Sequence, residues 1–223
     1  MLPFVTARSS TQLHLRCRPS QQRSVETFQL VLDTAATLLE RHGFSGFTTN
    51  LLADEAGVTV RAVYRYFPNK HAVVAELAQQ MAGRWRSAVA QVGDLADPSL
   101  AWTELWPAYL NAYVAAVRAT PGARAVLAAM RDDPELRAVD DIANAEYVAG
   151  IEAALAIRNS RLDPAGAHIA AVVLMRTTVA VLDAAFESDD ATAALLVDRL
   201  LVMHLALLAD VLDGAPARDE ARS

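Results

Sequence analysis

The 223-residue chain has a single cysteine, Cys17. One thiol excludes an intrachain disulfide, a thiolate zinc site and a CxxC redox pair, and it suits a reducing cytoplasm. Lysine is as scarce, since of 20 Lys and Arg only Lys70 is lysine. That bias fits a GC-rich bacterial genome and says little else. Glycine and proline number nine each, which leaves room for long helices and favours them over strands. The apolar stretches are interrupted by Arg176, Asp183, Asp198 and Arg199, short of the roughly 20 continuous residues of a membrane span. Leu2 to Val5 is too short an apolar run for a secretory signal. The five histidines, His14, His42, His71, His168 and His204, are dispersed and form no HExxH pair. No metal, cofactor or catalytic constellation is expected from them, and an enzyme is disfavoured.

What the chain does have is apolar residue in quantity, 53% of the total, with Ala and Leu prominent. The expected fold class is all-α, with about nine helices. Net charge is -6 but unevenly placed, because residues 1–70 carry eight bases against five acids and the remainder sums to -9. A basic head on an acidic body suits a protein that sets one end against phosphate.

Residues 1–20 mix Ser, Thr, Pro and Arg without apolar period and read as a flexible arm. Arg8, Arg16 and Arg18 of that arm either enter a minor groove or do nothing specific. Val25, Phe28, Leu32, Ala35 and Leu39 then recur at helical steps until Gly43. Thr48 is placed to cap a second helix that Gly57 ends, and Thr59 a third that stops before Pro68. Punctuation at Asp97-Pro98, Pro121-Gly122, Asp133-Pro134, Asp163-Pro164 and Ser188-Asp189 divides the rest into helices near 70–92, 98–119, 122–131, 134–158, 164–187 and 190–213. The expected domains are a unit of three helices over 21–70 and a larger helical domain over 71–213, with a disordered tail over 214–223.

The informative stretch is TTNLLADEAGVTVRAVYRYFPNK, Thr48 to Lys70. Two capped helices joined by a glycine turn within about 20 residues have helix-turn-helix spacing. Ala53 is small where the helices cross, Gly57 permits positive φ, and Val58 can fill the space between them. Thr59, Val60, Arg61 and Ala62 open the second helix, where side chains reach a major groove. Tyr64, Arg65, Tyr66 and Lys70 add donors around it.

AGVTVRAVYRYFPNK, preceded by GFSGFTT, resembles the DNA-binding signature of the tetracycline-repressor (TetR) family, over about Gln21 to Leu77. The resemblance implies a three-helix reader, a linking fourth helix, a variable ligand-binding core and a homodimer built on the last two helices. It assigns Thr48 a cap and phosphate contact, Tyr64 and Tyr66 DNA-backbone contacts, and Lys70 a phosphate contact. Arg61 departs from a position where Gly or Pro is frequent, and His71 from one where an acid is frequent. A plainer reading stands beside these roles, in which both tyrosines pack, Arg65 is a solvated charge, and Val60 touches no thymine methyl.

Trp102, Trp106, Tyr109 and Tyr113 recur at four, three and four residues and share one helix face. That face either fills a core or lines an effector pocket, to which Met130, Asn144, Tyr147, Met175 and Thr178 are candidate contributors. His168 and His204 read as core or interface histidines. The last two helices are apolar on several faces, including Ile169, Val172, Val173, Leu174, Leu200, Leu201, Leu205 and Leu208, which calls for a partner surface. The expected partners are an operator in double-stranded DNA, a small-molecule effector and a second copy, with no membrane and a cytoplasmic location. The alternative is a helical dimeric carrier or enzyme for an apolar molecule.

Overall fold

The computed structural model describes residues 13–213. The expectations for Arg8 and the start of the arm, and for the tail over 214–223, lie outside the described residues. The described chain is helical throughout, in the order α1 (Gln22–Gly46), α2 (Thr49–Glu55), α3 (Val60–Tyr66), α4 (Lys70–Ala90), α5 (Trp102–Arg118), α6 (Ala123–Asp132), α7 (Pro134–Arg158), α8 (Pro164–Glu187) and α9 (Asp190–Asp213).

Two compact units divide it. One comprises the residues up to Arg86 with Ala116–Asp141, the other Ser87–Ala115 with the residues from Ile142 onward. This division does not fall at residue 70, because α6 packs on α1 and joins the first unit.

In the first unit α1 buries Phe28, Val31, Leu32, Ala35, Leu38 and Leu39, the three-and-four spacing of one helical face. Regular helix stops at Gly43, which has φ 61°. Gly122, at φ 74°, shows why a turn can demand glycine twice over. A Cβ there would lie 2.7 Å from the Ala36 Cβ, and its N–H donates to the Glu40 carboxylate at 2.7 Å. The α5–α6 turn is thereby held against α1.

In the second unit α8 and α9 pair along their length. One apolar cluster gathers Trp106, Ile151, Leu155, Leu174, Met175 and Leu208, and another Leu110, Val114, Leu182, Val197 and Leu200. By length and composition α8 is apolar enough to cross a membrane, contrary to the reading of its charges, because Arg176 and Asp183 alone interrupt most of it. Its Ala167, Ala170, Ala171, Leu174, Met175, Thr178 and Leu182 are buried within the unit, as in a core helix. The helix expected from residue 98 begins at Trp102 instead. Arg158 accounts for the delay, since its guanidinium donates to the carbonyls of Leu95, Asp97 (2.7 Å) and Leu100 (3.0 Å) and holds that stretch in turns.

Candidate functional site

The reader is assembled by local chemistry. The Thr48 hydroxyl accepts from the Leu51 N–H at 3.1 Å and opens α2. Gly57, at φ 65°, turns the chain, and the Val58 N–H closes the turn onto the Ala53 carbonyl at 3.0 Å. Ala53 is fully buried, as a close crossing requires. The Thr59 hydroxyl accepts from the Ala62 N–H at 3.2 Å and opens α3. Each cap satisfies a backbone donor that the first turn leaves without a partner.

The helical period then sorts α3 into two faces. Val63 and Tyr66 turn inward, whereas Thr59, Arg61, Tyr64 and Arg65 are exposed and Val60 and Ala62 half-exposed. The exposed face therefore presents the Thr59 hydroxyl and the Arg61 guanidinium at the helix N-terminus, whose dipole favours anions, and the Tyr64 phenol and Arg65 guanidinium toward its last turn. The Tyr64 phenol, with the residue 37% exposed, shares a hydrogen bond with the Thr49 hydroxyl at 3.1 Å, which fixes its ring across the turn.

Two residues depart from the expected contacts. Tyr66 is only 3% exposed. Its ring meets the Phe28 ring edge-on at 5.3 Å between centroids, so the ring packs in the core of the reader. Lys70 points its ammonium inward, donating to the Phe44 carbonyl at 2.9 Å and lying 4.1 Å over the Phe44 ring. That position satisfies a carbonyl at the end of α1 and gives a cation–π contact. His71 places Nε2 3.3 Å from an Asp133 carboxylate oxygen.

The arm was also underestimated. Arg16 and Cys17 donate to backbone carbonyls of α3, and Arg18 pairs with Glu76.

In the second unit the aromatic stripe is packed and polar at once. Trp106 stacks on Tyr109 with centroids 5.9 Å apart, and the phenols of Tyr109 and Tyr147 share a hydrogen bond. Burial raises the Tyr109 phenol above its ordinary pKa and, together with neighbouring Tyr109 and Tyr113, raises that of Tyr147 well above it. Both stay protonated. Trp102, Trp106, Tyr147 and Met175 belong to one apolar cluster, and Tyr113 packs on the other. Thr178 is 5% exposed and donates to the Leu174 carbonyl at 2.7 Å, which occupies its proton inside α8. Met130 lies on α6 in the first unit. Asn144 is half-buried on α7.

A small apolar cleft of about 20 Å³, room for a water-sized group, opens beside this cluster. Trp102 and Trp106 line it with Leu105, Ile151, Leu155 and Leu208. Sequence reasoning missed the aliphatic members, which look like any core leucine. Arg158 also borders it, but its guanidinium is committed to the three carbonyls of the 95–100 turns. Among the described residues no group of three His, Cys, Asp or Glu side chains is placed to hold a metal.

These features define a helix-turn-helix reader with a helical companion unit. Comparison with known proteins places them. The model for bacterial regulatory proteins of the tetR family matches residues 31–77, and that for the tetracyclin repressor-like C-terminal domain matches residues 101–208. The chain belongs to the TetR family. No curated protein sequence matches it. Among solved structures, a TetR-family transcriptional regulator from Streptomyces coelicolor is 21% identical at a TM-score of 0.62, covering 83% of this chain and 99% of its own. SmeT, the repressor of the Stenotrophomonas maltophilia multidrug efflux pump SmeDEF, is 20% identical at a TM-score of 0.62, with 86% and 91% covered. A SmeT–triclosan complex is 20% identical at a TM-score of 0.63, with 80% and 91% covered. At such identities the likeness is one of fold.

Proposed function

We propose that this protein is a sequence-specific repressor, released from a pseudopalindromic operator when a small apolar molecule binds its second unit. The observation that carries the reading is the outward face of α3, where Thr59, Arg61, Tyr64 and Arg65 are exposed at a capped helix beside a helix-turn-helix. A carrier or enzyme has no use for such a surface. Thr48, Thr59, Tyr64 and Arg65 contact phosphate, and Val60, Arg61 and Ala62 face bases, with Arg61 suited to a guanine. Two copies present two such helices about 34 Å apart, so the operator repeats in inverted sense.

The second copy is supported by apolar residues left exposed on α8 and α9, among them Ile169 at 62% and Val202 at 57%. The effector class follows from the cavity lining. It offers indole and aliphatic surface and a guanidinium already saturated by carbonyls, so it favours an uncharged, largely apolar molecule, for which the cleft must widen, and a carboxylate finds no counter-ion. SmeT, which has the same fold, forms a complex with triclosan. Release requires a state of the dimer that binds effector well and operator poorly, with α4 shifted. The coupling is reciprocal, so operator DNA weakens effector binding by the same factor. Activity of this kind belongs in the cytoplasm.

The test is selection of bound duplexes from a random pool at moderate salt, because phosphate attraction alone mimics recognition at low salt. Enrichment of one inverted repeat is expected. A folded dimer that enriches nothing would overturn the reading in favour of a carrier or enzyme.

A further inference from the structure

α3 has seven residues, too few to hold a helical conformation or a direction alone. Its last carbonyls also lack intrahelical partners. The chain that precedes α1 supplies them. The Arg16 N–H donates to the Tyr66 carbonyl at 2.8 Å, the Arg16 guanidinium to the Tyr64 carbonyl at 3.1 Å, and the Cys17 thiol to the Arg65 carbonyl at 3.4 Å. Three successive carbonyls of α3 are thus capped by two successive residues of a segment distant in sequence.

The next residue anchors the segment elsewhere. Arg18 places a guanidinium nitrogen 3.4 Å from the Glu76 carboxylate on α4, whose side chain is 4% exposed. The other Glu76 oxygen accepts from the Gln80 amide at 3.3 Å. A carboxylate so enclosed requires a cation, and Arg18 supplies it. Donors at 16 and 17 grip α3 while the charge at 18 grips α4.

We propose that Arg16, Cys17 and Arg18 form a strap that ties the C-terminal end of the recognition helix to α4, making Arg16 and Arg18 positioning residues for DNA reading. The inference rests on the DNA-reading function proposed above. It commits a guanidinium nitrogen of each arginine to the protein while both residues stay exposed, so the salt series decides between the strap and the groove or phosphate contacts that basic arms make. It also makes the setting of α3 follow that of α4.

The full-length chain is compared with Arg16→Met and Arg18→Met, which keep an apolar stem and remove the guanidinium. Affinity for the duplex recovered by selection is measured across a salt series, and hydrogen exchange of the amides of residues 63–67 is followed without DNA. The strap predicts about a tenfold loss of affinity, the scale of one or two lost hydrogen bonds. It further predicts an unchanged slope of log affinity against log salt and faster exchange in α3. A slope that falls by about one per arginine would mean phosphate contact and overturn the strap, as would unchanged affinity and exchange. Should Arg18→Met fail to fold because Glu76 is stranded, Arg18→Met with Glu76→Gln removes both charges and carries the same expectations. If the parent chain selects no duplex, the regulatory reading fails, and exchange alone decides the strap: acceleration supports it and retention overturns it.

Discussion

His204 shows how a single buried residue makes stability depend on pH. Its residue is 1% exposed, and burial lowers its pKa from 6.5 to about 4. Nδ1 accepts from the Trp106 indole N–H at 3.2 Å, which requires a neutral ring with its proton on Nε2. Nε2–H then donates to the Thr177 hydroxyl at 2.8 Å, and that hydroxyl donates to the Val173 carbonyl at 2.7 Å. A second proton on Nδ1 would break the indole bond. Since the folded pKa lies below the unfolded one, the unfolded chain takes up the proton first. The contribution of the neutral ring is whole above about pH 6.5 and is lost as pH falls through about 4. The full loss is about 3 kcal/mol per protomer. His204→Gln keeps an acceptor and a donor without the titration, so its urea midpoint is expected to change less than that of the parent between pH 7 and pH 4.5. Equal changes would show that another group titrates. The sequence marked His204 as a core histidine on an apolar helix, and so it is. His168, read in the same way as a core or interface histidine, is exposed, with Nδ1 3.1 Å from a Glu152 carboxylate oxygen.

At the scale of elements, the caps and turns were legible because they are local. Thr48, Gly57, Thr59 and Pro68 each act on backbone groups within a few residues, and α2 and α3 begin and end where those residues put them. Of the two readings left open for Tyr66, the ring follows the packing one: Val63 and Tyr66 are three apart, and a seven-residue helix that buries one buries the other. The arm was misread because its partners are carbonyls of α3 and a carboxylate on α4 that no local pattern reveals. The two tyrosines give a direct comparison. Tyr64→Phe removes a hydroxyl from the exposed face and is expected to weaken binding to the selected duplex about tenfold or more, the scale of the roughly 1.5–3 kcal/mol of a hydrogen bond to a charged group. Tyr66→Phe keeps the ring against Phe28 and should leave affinity within about twofold if its hydroxyl makes no DNA contact. Filter binding or anisotropy at one stated salt separates them. Equal losses would mean that Tyr66 turns outward on DNA.

On the whole molecule, the question left by composition is where so much apolar surface goes. Two clusters consume one side of α8 and α9. The other side keeps Ile169 and Val173 on α8 and Leu195, Val202 and Met203 on α9 exposed, together with Arg176, Asp198 and Arg199. Sequence could show that these helices exceed what one core can bury, but could not choose the faces, because almost every position is apolar. In the dimer proposed above a symmetric partner would cover the surplus, each copy supplying the same two helices to the other. Ile169→Glu with Val202→Glu is therefore expected to yield a monomer in sedimentation equilibrium, with helix content by circular dichroism close to that of the parent. The carboxylates face solvent in a free monomer and would be desolvated in a dimer. A DNA consequence separates this interface from any other. The double variant should lose far more affinity for a duplex carrying both half-sites than for one carrying a single half-site, because a monomer cannot gain from the second reader's being tethered nearby. A variant that remains dimeric would place the contact on other helices, and a monomer with undiminished two-site affinity would mean that the readers act independently.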